Sequence, residues 1–246
     1  MVSLMPTTPN SIFELPELRD QVRIFRSRDH AGRVVAGMLG KFKGTESLIL
    51  AIPSGGIPVG VAIAEELNLP LEAAVVSKIT LPWNTEAGYG AVAFDGTVRI
   101  NEDLLPHLRL SEQQIAEGVE KTRQKVQRRV RKFLGERPFP DLSRKAAILV
   151  DDGLASGFTL LVAVEAIRRL GTPKILIAVP TGSADRLSKV AREVDALYCA
   201  NIREGWGFAV AEAYRRWVDL EEEEAAKLYK DYQARFQKTP IHPATL

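Results

Sequence analysis

The chain has 246 residues, 46% of them hydrophobic and 26% charged, which is the make-up of a globular protein and excludes a disordered or fibrous one. Its formal charge is +2, from 33 Lys and Arg against 31 Asp and Glu, so the whole-molecule field gives no drive toward nucleic acid or a membrane surface. The one cysteine, Cys199, excludes an intrachain disulfide and a cysteine-rich zinc site and suits a reducing cytoplasm.

Residues 1–20, with Pro6, Pro9 and Pro16, read as an extended arm. They lack the basic-then-apolar pattern of an export signal, and no later stretch approaches the roughly 18 apolar residues a membrane span needs, so neither is expected. Residues 21–39 place Val22, Phe25, Val34, Val35 and Met38 at spacings that suit a helix starting near Ser27. Residues 48–52 form a short continuous apolar run, followed by Pro53-Ser54-Gly55-Gly56 and a helical pattern over 57–69. A second run covers 71–76 and ends at Ser77 and Lys78. Residues 79–103 mix Gly, Pro and short alternating runs, which predicts a long loop or hairpin. Residues 111–134 read as one long helix, opened by a capping box of Ser111 and Gln114, with Ile115, Val119, Val126, Val130 and Phe133 on one face.

Further strands are predicted at 146–150, 174–179 and 196–200, helices at 159–170 and 184–193, and a last helix from Asp219 onward. Continuous apolar strands alternating with helices imply an α/β fold, a twisted and mainly parallel five-stranded sheet with helices on both faces. The length is near the upper limit for one hydrophobic core, so a single domain over residues 1–246 is expected.

Residues 148–160, Ile-Leu-Val-Asp-Asp-Gly-Leu-Ala-Ser-Gly-Phe-Thr-Leu, carry the strongest chemical signal. An apolar strand ends in Asp151 and Asp152, runs through Gly153, Ala155, Ser156 and Gly157, and opens a helix at Phe158 and Thr159. In a parallel sheet this place is the crevice at the carboxyl ends of the strands, where ligands bind. Free N–H groups at a helix start, together with the helix dipole, suit an anion; Ser156 and Thr159 add hydroxyls, and Gly157 lets a phosphate approach the backbone. Two carboxylates directly before an anion cradle would repel phosphate unless groups that donate to them lie alongside, and sugar hydroxyls meet that need. The inferred ligand is a sugar phosphate. An Asp-Asp pair alone would equally suit an ordinary βα turn with an Asp cap; the whole pattern favours the ligand site.

The same pattern resembles the signature of the type I phosphoribosyltransferases, with Ala155-Ser156-Gly157-Phe158-Thr159 in place of the family's Ala-Thr-Gly-x-Thr. The resemblance implies that Asp151 and Asp152 hold the ribose hydroxyls of phosphoribosyl pyrophosphate. It implies further that Gly153, Ala155, Ser156, Gly157, Phe158 and Thr159 hold the 5′-phosphate. Residues 51–60 are similar to the family's pyrophosphate loop, which assigns Ser54, Gly55 and Gly56 to the diphosphate, with Ser54 where the family carries a basic residue. A plain strand-to-helix turn that needs two glycines is the alternative there. From the same likeness, a non-proline cis peptide is expected between Pro53 and Ser54. Lys78 matches a position whose basic side chain contacts pyrophosphate, against the alternative of a solvated lysine. Residues 81–97 take the place of a flexible loop that closes over the reacting centre, and residues 86–93 are similar to an uncharacterised subgroup of the family.

The implied reaction displaces pyrophosphate from the anomeric carbon by a nitrogen acceptor. Magnesium would bridge diphosphate and ribose near Asp151 and Asp152 rather than sit in a protein metal site. No side chain is assigned as catalytic. Purine-salvage members carry an Asp at the position of Ala155, which disfavours hypoxanthine and guanine as acceptors. The acceptor hood falls to the arm at 1–20 and to residues 201–208, the opening of a stretch at 201–246 that ends in the C-terminal helix, with Trp206 and Phe208 as bases' stacking partners or as packing residues. The expected partners are therefore phosphoribosyl pyrophosphate and a small nitrogen acceptor, without membrane or nucleic acid, self-association to a homo-oligomer staying open. The basic run of Lys121, Arg123, Lys125, Arg128, Arg129, Arg131 and Lys132 reads as a solvated helix face. It also sustains an alternative, a non-catalytic regulator on the same fold that senses phosphoribosyl pyrophosphate. His30, His107 and His242 are scattered and take no role.

Overall fold

The computed structural model describes residues 11–205 and 207–238, with backbone alone at residues 85 and 86. Its main sheet holds six strands: β1 (Ser11–Phe13), β2 (Leu48–Ala51), β3 (Leu71–Ala73), and, after a separate hairpin region, the three long core strands. The hairpin region is β4 (Val76–Leu81), β5 (Asn84–Ala93) and β6 (Val98–Ile100), a three-stranded antiparallel sheet. The core strands are β7 (Ala146–Val150), β8 (Lys174–Ser183) and β9 (Ala196–Arg203). The main sheet runs β1-β9-β8-β7-β2-β3 and every pairing in it is parallel.

The strands read as continuous apolar runs because both faces are covered. Ile49, Ala51, Ile148, Val150, Leu176 and Tyr198 join one core cluster, and their neighbours Leu48, Leu50, Ala147, Leu149, Ile177 and Leu197 join the other. The first cluster lies under α1 (Arg28–Met38), α2 (Gly56–Leu67), α4 (Glu112–Leu134) and α7 (Glu222–Lys238), which follow the short α3 (Leu105–Leu108) in part. The second lies under α5 (Phe158–Arg169) and α6 (Ala184–Ala191).

The sequence expectation of five strands is one short. Ser11–Phe13 leaves the arm to pair with β9, Ser11 opposite Ala196, and a three-residue edge strand has no periodicity to read. The expected strand at 71–76 is in fact two. β3 ends at Ala73 and β4 begins at Val76, opposite Ala93 of β5. Residues 81–97, given above to a closing loop, belong largely to the hairpin sheet, whose tip is tied by Thr97 donating to Asp95 and by Arg169 Nη1 donating to Thr97 Oγ1 at 3.0 Å.

Helix starts follow their caps. Ser27 Oγ accepts the His30 N–H at the head of α1, and Ser111 with Gln114 forms both bonds of the capping box on α4. Part of the basic run on α4 is internal. Buried Arg129 donates to Val76 O at 3.0 Å and Ser77 Oγ at 3.1 Å, where the sheet divides, and pairs with Glu222 of α7 at 2.7 Å; Lys132 pairs with the same Glu222 at 3.1 Å. Among the described residues no helix is long and apolar enough to cross a membrane.

Candidate active site

β7 delivers Asp151 and Asp152 at its carboxyl end, and the turn after them is held from three sides. Asp151 Oδ1 accepts the Asp152 N–H at 2.9 Å. Leu154 donates to Thr181 O at 2.8 Å and accepts from Ser183 N–H at 3.3 Å, which ties the turn to the end of β8. Gly153 lies so close to Val210 that a Cβ would come within 2.5 Å of its side chain. Gly157 caps α5 at φ +72, a left-handed conformation that favours glycine, with Val190 2.6 Å from where a Cβ would be.

Between these anchors Ala155 and Ser156 are exposed, and Phe158 and Thr159 are half-buried at the first turn of α5. Among the described residues the N–H groups of Ala155, Ser156 and Gly157 have no protein acceptor, while Ser156 Oγ accepts the Phe158 N–H at 3.3 Å. This is the arrangement that holds an anion at a helix start. A cleft of about 730 Å³ opens on the turn, lined by Ser156 and Phe158 with Arg99, Arg186 and Lys189.

β2 lies beside β7, and the loop that follows it meets the carboxylates directly. Ile52 N–H donates to Val150 O at 2.8 Å. A Cβ on Gly55 would stand 2.1 Å from Asp152 Oδ2, and one on Gly56 would stand 2.8 Å from Val150 O and 3.0 Å from Asp151 Cα. Gly55 has φ −61 and ψ −34, an ordinary helical conformation, so glycine is needed there for close approach and not for backbone freedom. The Pro53–Ser54 peptide is cis, as expected. The N–H groups of Ser54 and Gly55 have no protein acceptor among the described residues.

Two residues that the sequence reading missed complete the site. Arg28, the first residue of α1, places Nε 2.8 Å from Asp152 Oδ2 and donates from Nη1 to Val218 O at 2.8 Å, with Trp217 stacked 4.0 Å from its guanidinium carbon. Tyr214 donates its hydroxyl to Asp152 O at 2.7 Å. A cation in the first turn of a helix opposes the helix dipole, and that mismatch was the one local sign that Arg28 answers to a partner elsewhere. Burial pushes the Asp151 carboxyl well above the usual carboxylate range, and Asp152 beside it pushes in the same direction. Burial also raises Asp152, against the pull of Arg28.

Lys78 is exposed on β4, opposite Ala91, with its stem against Gly88, so it stands on the hairpin sheet. Trp206 lies outside the described residues, and Phe208 is half-buried. The hood residues that meet the site come later in the segment: Val210 packs at Gly153, Tyr214 bonds the Asp152 main-chain carbonyl and Trp217 stacks on Arg28. Among the described residues no group of three or more His, Cys, Asp or Glu could hold a metal, which leaves Asp151 and Asp152 as a two-carboxylate site. Magnesium fits such a site when ligand phosphates and water supply its remaining positions.

The family model for the phosphoribosyl transferase domain matches residues 24–213, a span that takes in both loops, Arg28 and the first hood contacts. Two provisionally named phosphoribosyl transferases, from two strains of Mycobacterium tuberculosis, are each 31% identical over 203 residues, covering 82% of this chain and 46% of their own length. The chain thus spans about half the length of these curated relatives. The crystal structure of TT1426 from Thermus thermophilus superposes with a TM-score of 0.69 over 85% of this chain and 98% of that one, at 22% identity, a likeness of fold. The chain belongs to the phosphoribosyl transferase domain family.

Proposed function

We propose that this chain is a single-domain, cytoplasmic phosphoribosyltransferase that binds magnesium phosphoribosyl pyrophosphate and transfers the phosphoribosyl group to a nitrogen acceptor. The observation that carries the reading is the contact between two loops at the carboxyl ends of neighbouring strands, where Gly55 and Gly56 abut Asp152 and Asp151. One loop offers N–H groups of Ser54 and Gly55, the other those of Ala155 to Gly157, and the carboxylates lie beside the first. That order suits diphosphate, ribose and 5′-phosphate in turn.

In this reading Asp151 and Asp152 accept from the ribose hydroxyls and stand near the magnesium, which supplies charge neutralisation for the departing pyrophosphate. The turn from Ala155 to Thr159 fixes the 5′-phosphate, so the anomeric carbon is held while the acceptor attacks. Replacing both carboxylates, Asp151→Asn with Asp152→Asn, is expected to weaken binding of magnesium phosphoribosyl pyrophosphate by at least about 2 kcal/mol, since charge-assisted hydrogen bonds are lost. Unchanged affinity by calorimetry would remove the role.

A second reading, a sensor that binds the same ligand without turnover, draws on the absence of any cation in the loop from Pro53 to Gly56. A screen of nucleobases and amines for pyrophosphate release separates the two. Release with any acceptor establishes the transferase, and binding without release establishes the sensor.

A further inference from the structure

The loop from Pro53 to Gly56 carries no positive side chain, and a carboxylate faces it. Asp152 Oδ2 is the atom that a Cβ on Gly55 would meet at 2.1 Å. An anion drawn to the N–H groups of Ser54 and Gly55 therefore arrives next to a negative oxygen, and repulsion there has to be offset by a nearby cation. Among the described residues one cation is bonded to that oxygen, Arg28, at 2.8 Å through Nε. Its side chain is only 13% exposed, stacked on Trp217 and tied through Nη1 to Val218 O. Its Nη2 has no acceptor among the described residues. Arg28 also lines a cleft of about 570 Å³ with Ser27, Pro58 and Val218 and, from α7, Lys227, Leu228 and Asp231.

We propose that Arg28 is the diphosphate-binding cation of this site, supplied by α1 rather than by the loop itself. Nε stays on Asp152 and cancels the carboxylate's repulsion, while Nη2 donates to a diphosphate oxygen. A guanidinium can do both at once because it stays charged and presents a rigid fork of donors, which an ammonium does not. The stack on Trp217 and the bond to Val218 fix the plane of that fork before ligand arrives. The strap at 214–218 is thereby a part of the binding site, since Tyr214 holds the Asp152 carbonyl and Trp217 holds the arginine. The inference rests on the phosphoribosyl pyrophosphate reading.

The test is calorimetry on the full chain with three probes in magnesium buffer: phosphoribosyl pyrophosphate, inorganic pyrophosphate and ribose 5-phosphate. Arg28→Gln is expected to weaken both diphosphate-bearing probes by at least about tenfold, the order of a lost charge-assisted hydrogen bond, and to leave ribose 5-phosphate within about threefold. Adding Ser54→Arg to Arg28→Gln is expected to recover part of the pyrophosphate binding, because it returns a cation to the loop. Equal loss of all three probes would show that Arg28 serves only to position Asp152, and no loss would show that it does not face the ligand; either result overturns the assignment. Should Arg28→Gln fail to fold, Arg28→Lys decides, since it keeps the charge. It is expected to lose more on pyrophosphate than on ribose 5-phosphate, and the reverse order counts against the proposal. A wild-type chain that binds none of the probes sinks the phosphoribosyl reading itself, a result distinct from any of these.

Discussion

At the scale of single residues, the site is built on close approach. Gly55 sits in a right-handed helical conformation that alanine adopts freely, so Gly55→Ala carries no backbone penalty, yet its Cβ would stand 2.1 Å from Asp152 Oδ2. Asp152 cannot simply swing aside, because Arg28 holds the same oxygen at 2.8 Å. The expected outcome is a chain that folds normally but binds magnesium phosphoribosyl pyrophosphate at least about tenfold, or about 1.4 kcal/mol, more weakly. Calorimetry and a thermal melt check it together: intact folding with unchanged affinity would show that the loop does not need this approach. The same residues mark what a sequence discloses. Asp151, Asp152 and the turn to Thr159 were legible because strand, carboxylates, glycines and helix start are consecutive, and each answers to local chemistry. Arg28 and Tyr214 were not, since their partner Asp152 lies 124 and 62 residues away in the chain.

At the scale of elements, the edge of the main sheet at β3 is covered by α7, which supplies donors to the segment from Leu69 to Glu72. Tyr232 Oη donates to Leu69 O at 2.6 Å, Gln233 Nε2 donates to Leu71 O, and Tyr229 Oη donates to Glu72 Oε1. Glu72 is buried in this joint, its Oε1 accepting the Ala73 N–H at 3.1 Å and Arg137 Nη2 standing 3.7 Å from Oε2. Burial pushes the Glu72 carboxyl above the usual range, more than the Ala73 N–H and Arg137 draw it down. A carboxyl raised on folding contributes stability that is whole below its unfolded value, about 4.3, and is lost as pH rises through the folded value. Wild type is therefore expected to lose unfolding free energy relative to Glu72→Gln as pH rises from about 4 toward 7. Denaturant titrations of both chains across that range check it, and a constant difference would show that the carboxyl titrates as in the unfolded chain. None of this joint was legible, because a continuous run at 71–76 hides both the break after Ala73 and the identity of the edge strand. The capping box of α4 was legible, since Ser111 and Gln114 satisfy each other within one turn.

At the scale of the whole molecule, the fold class followed from apolar runs alternating with helices, but the strand order did not. Periodicity tells that β2 and β7 are buried on both faces without telling that they are neighbours, and it is their adjacency that joins the two loops into one site. The basic run on α4 shows a similar gap. Read alone it is a solvated face, whereas in the fold Arg129 is drawn inward to the divided sheet and pairs with Glu222, which Lys132 also meets at the surface. α7 is consequently part of the structure that orders β3, α2 and α4, although in sequence it reads only as a last helix on the outside of the fold. It buries Ala225, Ala226, Tyr229 and Tyr232 against that side of the core and adds the pair of Arg235 with Glu65 at 2.8 Å. Two buried tyrosines at about 1.5–3 kcal/mol each, with the Leu69 and Leu71 carbonyls left without these donors, put the loss on removing residues 220–246 at about 4 kcal/mol or more. For a domain of this size that corresponds to a melting temperature lower by at least about 8 °C, or to a chain that no longer unfolds in one transition. Because the site lies at the carboxyl ends of β2 and β7 and its hood contacts end at Val218, a truncated chain that still folds is expected to retain binding of phosphoribosyl pyrophosphate at low temperature. Calorimetry on the shortened chain measures both effects, and an unchanged melting temperature would show that α7 is an appendage after all.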